Sequence, residues 1–275
     1  MTAGSSGFHR AGHDVVLITG ASSGIGAALA REFSRRGFAL ALVARRLDRL
    51  TALRDELARP GAEVLVVKGD VTSEEEMVEA FRLTREQFGR IDIVIANAGF
   101  GVRGEFQRLT LDDYRRQFET NVFGVLRTIA LGLEELKRSH GIVVIMGSVM
   151  GHLSLPRTSP YAMSKFALRA LAETLRMELA PAGVSTVLIS PGLVESEFHR
   201  VDNHGRFHPE SVASFPSWLV LSTETAARQM VRAILQRRRE VVITWHGKIA
   251  VFLKRHVPWL FVLAGRWLTV PRRTN

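Results

Sequence analysis

The run VVLITGASSGIG, residues 15–26, decides how the chain folds. Its first half is β-branched or apolar at nearly every position, which suits a strand buried on both faces. Its second half places Gly20, Gly24 and Gly26 in a turn that leads into a helical stretch of small residues. Such a turn lets backbone amides approach an anion, while the N-terminus of the next helix points at the same spot. The spacing is G-x-x-x-G-x-G, distinct from the G-x-G-x-x-G of other dinucleotide folds, and plain Gly-rich turns share it. Its meaning therefore depends on what surrounds it.

Outward from that run, short apolar segments alternate with longer amphipathic ones. VVLITG (15–20), ALALVA (39–44), EVLVVKGD (63–70), IDIVIANAG (91–99), GIVVIMGS (141–148), VSTVLISPG (184–192) and EVVITW (240–245) read as strands. Helical periodicity runs through 24–36, 46–58, 73–88, 111–138, 160–180 and 223–238. Turn signals such as Gly37, Pro60-Gly61 and Gly89 close several of these segments. Parallel strands need covering crossovers, so the alternation predicts an α/β fold. The expected form is a Rossmann-type, doubly wound parallel sheet of about seven strands with helices on both faces. The chain divides into a disordered lead-in over 1–13, one domain over 14–245 and an apolar, basic appendage over 246–275.

Composition narrows the function classes. At 275 residues and 46% hydrophobic, the chain can bury a full core. It has no cysteine, which excludes disulfides and Cys-based metal sites. It also lacks an N-x-Ser/Thr sequon and an apolar run near its start, so the expected setting is cytoplasmic. The net charge is +10, yet residues 225–275 hold 11 Lys/Arg against one acid, Glu240. The preceding chain is thus neutral, and the charge belongs to the C-terminal fifth. Its basic residues are mixed with bulky apolar ones and no binding motif is present, which argues against nucleic acid.

Two further stretches carry chemistry. The second strand ends in Ala44-Arg45-Arg46, with no carboxylate to bind a ribose 2′-hydroxyl. A guanidinium fork suits phosphate instead, so NADP(H) is favoured over NAD(H), with Arg45 ahead of Arg46 as its ligand. In PYAMSK (160–165), Tyr161 and Lys165 stand one helical turn apart on one face. A free tyrosine titrates near ~10, so proton transfer at neutral pH needs roughly three units of help, about 4 kcal/mol. An ammonium ~4 Å away supplies about that much at an intermediate dielectric. The pair is sufficient for acid–base work when partly desolvated.

TGASSGIG (19–26), GDVT (69–72), ANAG (96–99), Asn121 in ETNVFG, Ser148 in GSVMG, YAMSK (161–165) and SPG (190–192) follow one another in a familiar order and spacing. In this the chain resembles the classical short-chain dehydrogenase/reductases over roughly residues 14–245. The resemblance implies catalytic roles for Asn121, Ser148, Tyr161 and Lys165. Tyr161 would exchange a proton with the substrate oxygen, and Lys165 would lower its pKa and hold the nicotinamide ribose. Ser148 would hydrogen-bond the reacting oxygen, and Asn121 would hold a water that relays protons toward Lys165. For the cofactor it implies Gly20, Ser22, Ser23, Gly24, Ile25 and Gly26 at the phosphates and Asp70 and Val71 at the adenine. Asn97, Ala98 and Gly99 would form the floor, and Pro191, Gly192, Val194 and Ser196 the nicotinamide end. Two departures stand out: Ala96 where many relatives have asparagine, and Ser196 where threonine is common. Ser148 and Pro191-Gly192 also fall at strand carboxyl ends, where open α/β sheets bind ligands.

The remaining features concern the substrate. His152, His199, His204 and His208 flank the expected cleft, but the last three sit in an irregular polar segment without a carboxylate arrangement. A substrate loop with solvated histidines is the better reading, and no metal site is expected. Leu193, Val194, Phe198 and Phe215 either line an apolar carbonyl or alcohol site or merely pack the lid. In the tail, Lys254, Arg255, His256 and Pro258 interrupt the apolar run, which argues against a transmembrane span of ~20 residues. Trp259 and Trp267 bracket a second apolar stretch, so the tail either packs on the body or a neighbouring subunit, or lies in a membrane interface. The resemblance implies a homodimer or homotetramer. Two functions follow: an NADP(H)-dependent oxidoreductase, or a membrane-docked NADPH-binding scaffold or sensor with little turnover.

Overall fold

The computed structural model describes residues 14–208 and 216–259. The expected lead-in 1–13, Phe215, and Arg266 and Trp267 in the tail lie outside the described residues, as does the side chain of His199. Seven strands form: β1 Val15–Thr19, β2 Ala39–Ala44, β3 Val64–Lys68, β4 Ile93–Ala96, β5 Ile142–Met146, β6 Ser185–Ser190 and β7 Glu240–Val242. They pair in the order β3-β2-β1-β4-β5-β6-β7, all parallel. The helices are α1 Gly24–Arg35, α2 Leu47–Leu57, α3 Glu74–Phe88, α4 Leu111–Phe118, α5 Gly124–Ser139, α6 Ser159–Glu178, α7 Thr223–Leu235 and α8 Trp245–His256.

The continuous apolar runs follow from burial on two sides. Val16 and Ile18 of β1 face a core with Leu29 and Phe33 of α1, Leu50 of α2 and Met230 of α7. Leu17, between them, faces a second core with Met77 and Phe81 of α3, Ile129 of α5 and Leu168 of α6. The five inner strands are almost wholly buried, so none shows polar alternation, whereas the edge strands β3 and β7 are mostly half-buried and each has one exposed residue, Lys68 and Glu240. After β3 the chain returns past β1 to start β4, and the reversal opens a crevice at the carboxyl ends of β1 and β4.

Two boundaries differ from the sequence expectation. The single helix expected over 111–138 is interrupted by a π-type turn, Glu119–Phe123. Gln117 and Asn121 account for it, because both amides bind the strand-end loop. Val102 N–H donates to Gln117 Oε1 at 2.6 Å, and Phe100 N–H to Asn121 Oδ1 at 3.1 Å. Asn121 Nδ2 donates back to the Phe100 carbonyl at 3.0 Å. One extra residue in a turn leaves the apolar period on either side intact, so the pattern shows a single helix. The last strand also ends at Val242, and Thr244 caps α8 by accepting from Gly247 N–H at 3.3 Å. The segment expected to be an apolar, basic appendage therefore begins as a helix at the cleft mouth.

Candidate active site

The left-handed backbone at Gly20 has a use. Gly20 adopts φ +67°, and a Cβ there would lie 2.8 Å from Ala98 Cα. That contact seats the turn directly on the β4 loop, where Asn97 holds it. Asn97 Nδ2 donates to the carbonyls of Thr19 (3.0 Å) and Gly20 (3.3 Å). Ser23 precedes α1 with extended backbone, and the first turn of α1 holds no acid. The helix thus presents unpaired amides to an anion. Arg46 donates to Ser23 Oγ at 2.7 Å and to Ser22 Oγ at 3.2 Å. Arg45, ranked first from sequence, is 65% exposed and approaches Asp70 Oδ2 at 3.7 Å. Of the two, Arg46 is the one that meets the glycine loop.

Gly20, Ser22, Ser23, Gly24, Ile25, Gly26, Arg45, Arg46, Asp70, Val71, Asn97, Ala98 and Gly99 line one continuous cleft. Pro191, Gly192, Val194 and Ser196 line it too, as do Ser148, Tyr161 and Lys165. Its volume is about 1570 Å³, beyond the ~300–1,000 Å³ usual for a single small ligand. That is room for more than one small ligand. The glycine seat, the hydroxyls and the guanidinium groups suit the anionic half of a nicotinamide dinucleotide.

At the other end, Ser148 leaves β5 and Tyr161 and Lys165 rise one turn apart from α6. Ser148 Oγ accepts from Met150 N–H at 3.1 Å and lies near enough to the Tyr161 phenol to act on its pKa. Lys165 donates to the Met146 carbonyl at 2.8 Å, with its ammonium 5.7 Å from the Tyr161 ring centre. Burial lowers the Lys165 pKa to about 8. Burial raises that of Tyr161, against the opposing effects of the Ser148 hydroxyl and the charge of Arg103. In the protein alone the phenol therefore stays protonated at neutral pH, the form that donates. Asn121 does not line the cleft. It is fully buried behind it, and Nδ2 reaches Ser164 Oγ at 3.3 Å.

Sequence alone reads Phe198 as lining the substrate site or packing the lid, and does not single out Arg103, Glu197 and His246 beside it. Phe198, expected in the lid, stacks at a tilt on Tyr161 with centroids 5.2 Å apart. Arg103 lies 5.7 Å over the Phe198 ring, and its backbone pairs twice with the Asn203 side chain at 2.8 Å. His246, from α8, accepts from Leu193 N–H through Nε2 at 3.3 Å, and burial lowers its pKa. Glu197 is held by Arg46 and Arg49. The one available signal was Arg49, three residues past Arg46 on the same helix face. The others come together only through the fold.

The histidines serve local structure. His152 is buried against Ser190 Oγ and Glu240, both at 3.1 Å, away from the cleft. His208 pairs with Asp202 at 2.9 Å, and His204 lines the cleft. Among the described residues no group of His, Asp or Glu could hold a metal ion.

Comparison with known proteins places this arrangement in a family. The short chain dehydrogenase family matches residues 14–206, and the chain belongs to it. An uncharacterized oxidoreductase of Mycobacterium tuberculosis is 32% identical over 264 residues, covering 94% of this chain and 95% of its own. An alcohol dehydrogenase of Thermococcus sibiricus, solved with 5-hydroxy-NADP, is 31% identical with a TM-score of 0.73, covering 84% and 96%. A short chain dehydrogenase/reductase of Burkholderia phymatum, solved with NAD, is 26% identical with a TM-score of 0.82, covering 92% and 97%.

Proposed function

We propose that the protein is an NADP(H)-dependent oxidoreductase that interconverts a carbonyl and a secondary alcohol on an apolar substrate, with Tyr161 as general acid or base. The observation that carries this is the meeting of three groups at the cleft floor: the Tyr161 phenol, the Ser148 hydroxyl and the Lys165 ammonium. The cofactor, when bound, supplies or accepts the hydride. Gly20 to Gly26 and Arg45 or Arg46 would hold its phosphates, Asp70 and Val71 its adenine, and Asn97, Ala98 and Gly99 its floor. Pro191, Gly192, Val194 and Ser196 would hold its nicotinamide end.

Tyr161 hands its proton to the substrate oxygen, or takes one in the reverse direction. Ser148 donates to the same oxygen and stabilises the charge that develops there. Lys165, pinned by the Met146 carbonyl and shifted to about 8 by burial, can pass a proton on near neutral pH. Asn121 sets the backbone behind this relay. Leu153, Leu155, Leu193 and Phe198 along the cleft support an apolar substrate. Two arginines and no carboxylate at the end of β2 support NADP(H); the solved relatives include both NADP-type and NAD complexes, so the choice rests on these residues. Tyr161→Phe should abolish carbonyl-dependent NADPH oxidation while NADPH still binds. Turnover that survives the change overturns the assignment.

A second reading rests on one surface. Trp218, Trp245, Ile249, Phe252 and Trp259 are exposed, and the first two indoles stack at 6.3 Å. No helix among the described residues is long and apolar enough to cross a membrane. An exposed aromatic stripe beside basic residues suits an anionic bilayer surface, and in this reading the protein is a docked NADPH-binding scaffold with little turnover. Vesicles containing phosphatidylserine should then sediment the wild type and not Trp245→Ser/Phe252→Ser. Equal behaviour of the two removes it. Exposed Phe123, Met163 and Phe166 near the α4–α5 junction and on α6 support a homodimer or homotetramer through these helices. A monomer in sedimentation velocity at micromolar concentration would exclude that.

A further inference from the structure

Two arginines at the start of α2 are engaged by a carboxylate from the opposite wall of the cleft. Arg49 Nη1 donates to both Glu197 oxygens, at 2.6 and 2.8 Å. Arg46 Nη1 reaches the same carboxylate at 3.2 Å, while its Nη2 holds Ser23 Oγ at 2.7 Å and Ser22 Oγ at 3.2 Å. Guanidinium forks, hydroxyls and the N-terminus of α1 converge on one place, and the anion found there is the protein's own. A carboxylate on two guanidinium groups marks where an external anion of similar size would sit.

The carboxylate comes from the substrate lid. Glu197 follows Ser196, whose Cβ would lie 3.3 Å from a Cβ added to Gly24, so the lid's first turn rests on the glycine loop. Ten residues on, Phe207 lies beneath the Arg49 guanidinium at 5.2 Å from its ring centre. Arg49 thus ties two points of the lid to α2. Burial pushes the Glu197 carboxyl up, but Arg49 and Arg46 outweigh it and hold it below its ordinary value. The lid carries a full negative charge into the guanidinium pair at neutral pH.

Building on the NADP(H) reading, which already puts the adenosine 2′-phosphate at Arg46 and the Ser22 and Ser23 hydroxyls, we propose that Arg49 extends this site and that Glu197 is its resident counter-ion. Two anions cannot share the pair without strong repulsion, so phosphate entry displaces Glu197 and unlatches the lid. A dinucleotide without the phosphate leaves the latch in place. Glu197 therefore weakens phosphate binding, and Arg49 contributes to cofactor choice although it lies past the arginines at the strand end.

The test uses adenosine 2′,5′-bisphosphate and adenosine 5′-monophosphate, titrated by calorimetry into the full-length protein. Glu197→Gln should tighten the bisphosphate roughly three- to tenfold, and Arg49→Ala should weaken it about tenfold, each leaving the monophosphate within about twofold. NADPH and NADH should repeat the split. The site is wrong if either variant moves both probes equally or leaves the bisphosphate unchanged. If the wild type does not prefer the bisphosphate, the NADP(H) reading fails together with this site. A preference that neither variant alters overturns the site alone. Neither adenosine probe carries a nicotinamide, so a failure of carbonyl chemistry does not affect the result. Thermal melts confirm that the variants are folded, and Arg49→Lys, keeping the charge without the fork, should fall between wild type and Arg49→Ala.

Discussion

The floor of the cleft and its cover are built by different means. Ser148, Lys165 and Asn121 are 8%, 6% and 0% exposed, and each is fixed by a strand end, a helix or a turn bonded on several sides. The cover, from Leu193 to His208, has no long helix or sheet. It is held by the ion pairs of Glu197, the Asn203 clasp on the Arg103 backbone and a bridge between Val201 and Phe207. Interactions of the first kind open only with the fold, whereas exposed pairs and loop bonds open locally at small cost. Reaction geometry needs the former, and entry of two ligands needs the latter. If the contrast is real, substitutions in the floor act on the chemical step and substitutions in the cover act on binding.

The largest effect tests the floor. Ser148→Ala removes the hydroxyl proposed to donate to the reacting oxygen and should lower kcat by about 10²–10³-fold, close to 3–4 kcal/mol. NADPH affinity should stay within about twofold, because the phosphate end of the cleft is untouched. The same change removes the acceptor for Met150 N–H, so a loss of about 1 kcal/mol in stability should accompany it. A variant that lost affinity and kept kcat would place Ser148 in the cover's class.

The two regions were also unequally legible. Strand positions could be read because sheet residues are buried on both faces, and continuous apolar runs such as ALALVA report that directly. Tyr161 and Lys165 could be read because a helical turn fixes their relation within five residues. The π-type turn at Asn121 could not, since the extra residue changes the backbone without disturbing the apolar pattern. Nor could the latch, which joins Arg49 to Glu197 across 148 positions. Charged residues on partly exposed surfaces carry no periodicity, and their partners are chosen by the fold. His246 was hidden for another reason: its segment read as a tail, and only the Thr244 cap and the helix behind it bring the ring to Leu193.

The second prediction concerns what burial costs the floor. Lys165 titrates near 10.5 when unfolded and at about 8 in the native protein. Between those values the unfolded chain binds more protons, so stability rises with pH across this window. Below about 8 the buried ammonium is charged in both states and its desolvation weighs fully on the fold. The whole shift corresponds to about 3 kcal/mol. Tyr161, raised by burial, works in the opposite sense, losing stability only as pH passes its unfolded value near ~10. Urea unfolding of the cofactor-free protein from pH 7.5 to 9.5 should thus show increasing stability, and Lys165→Met should flatten the increase. A wild-type profile no steeper than that of the variant would mean that Lys165 is solvated in the native state, and the rigid, dry floor would lose its best support.

The smallest effect tests the cover. Phe198 packs on Tyr161 with centroids 5.2 Å apart, lies under Arg103, and covers Gly101, where an added Cβ would stand 2.7 Å from the ring. It touches Tyr161, the proposed proton-transfer residue, but carries no group that can move a proton or hold an oxygen. An aromatic pair of this kind is worth about 0.5–1.5 kcal/mol beyond its buried area. Phe198→Ala should therefore raise KM for an apolar carbonyl substrate about three- to tenfold and leave kcat within about twofold. Phe198→Leu, which restores apolar volume without the ring, should recover most of the loss. Steady-state kinetics at saturating NADPH separates the outcomes. A fall in kcat comparable with that of Ser148→Ala would show that the ring orders the Tyr161 phenol for reaction, and that the division between floor and cover runs through the lid instead of beneath it.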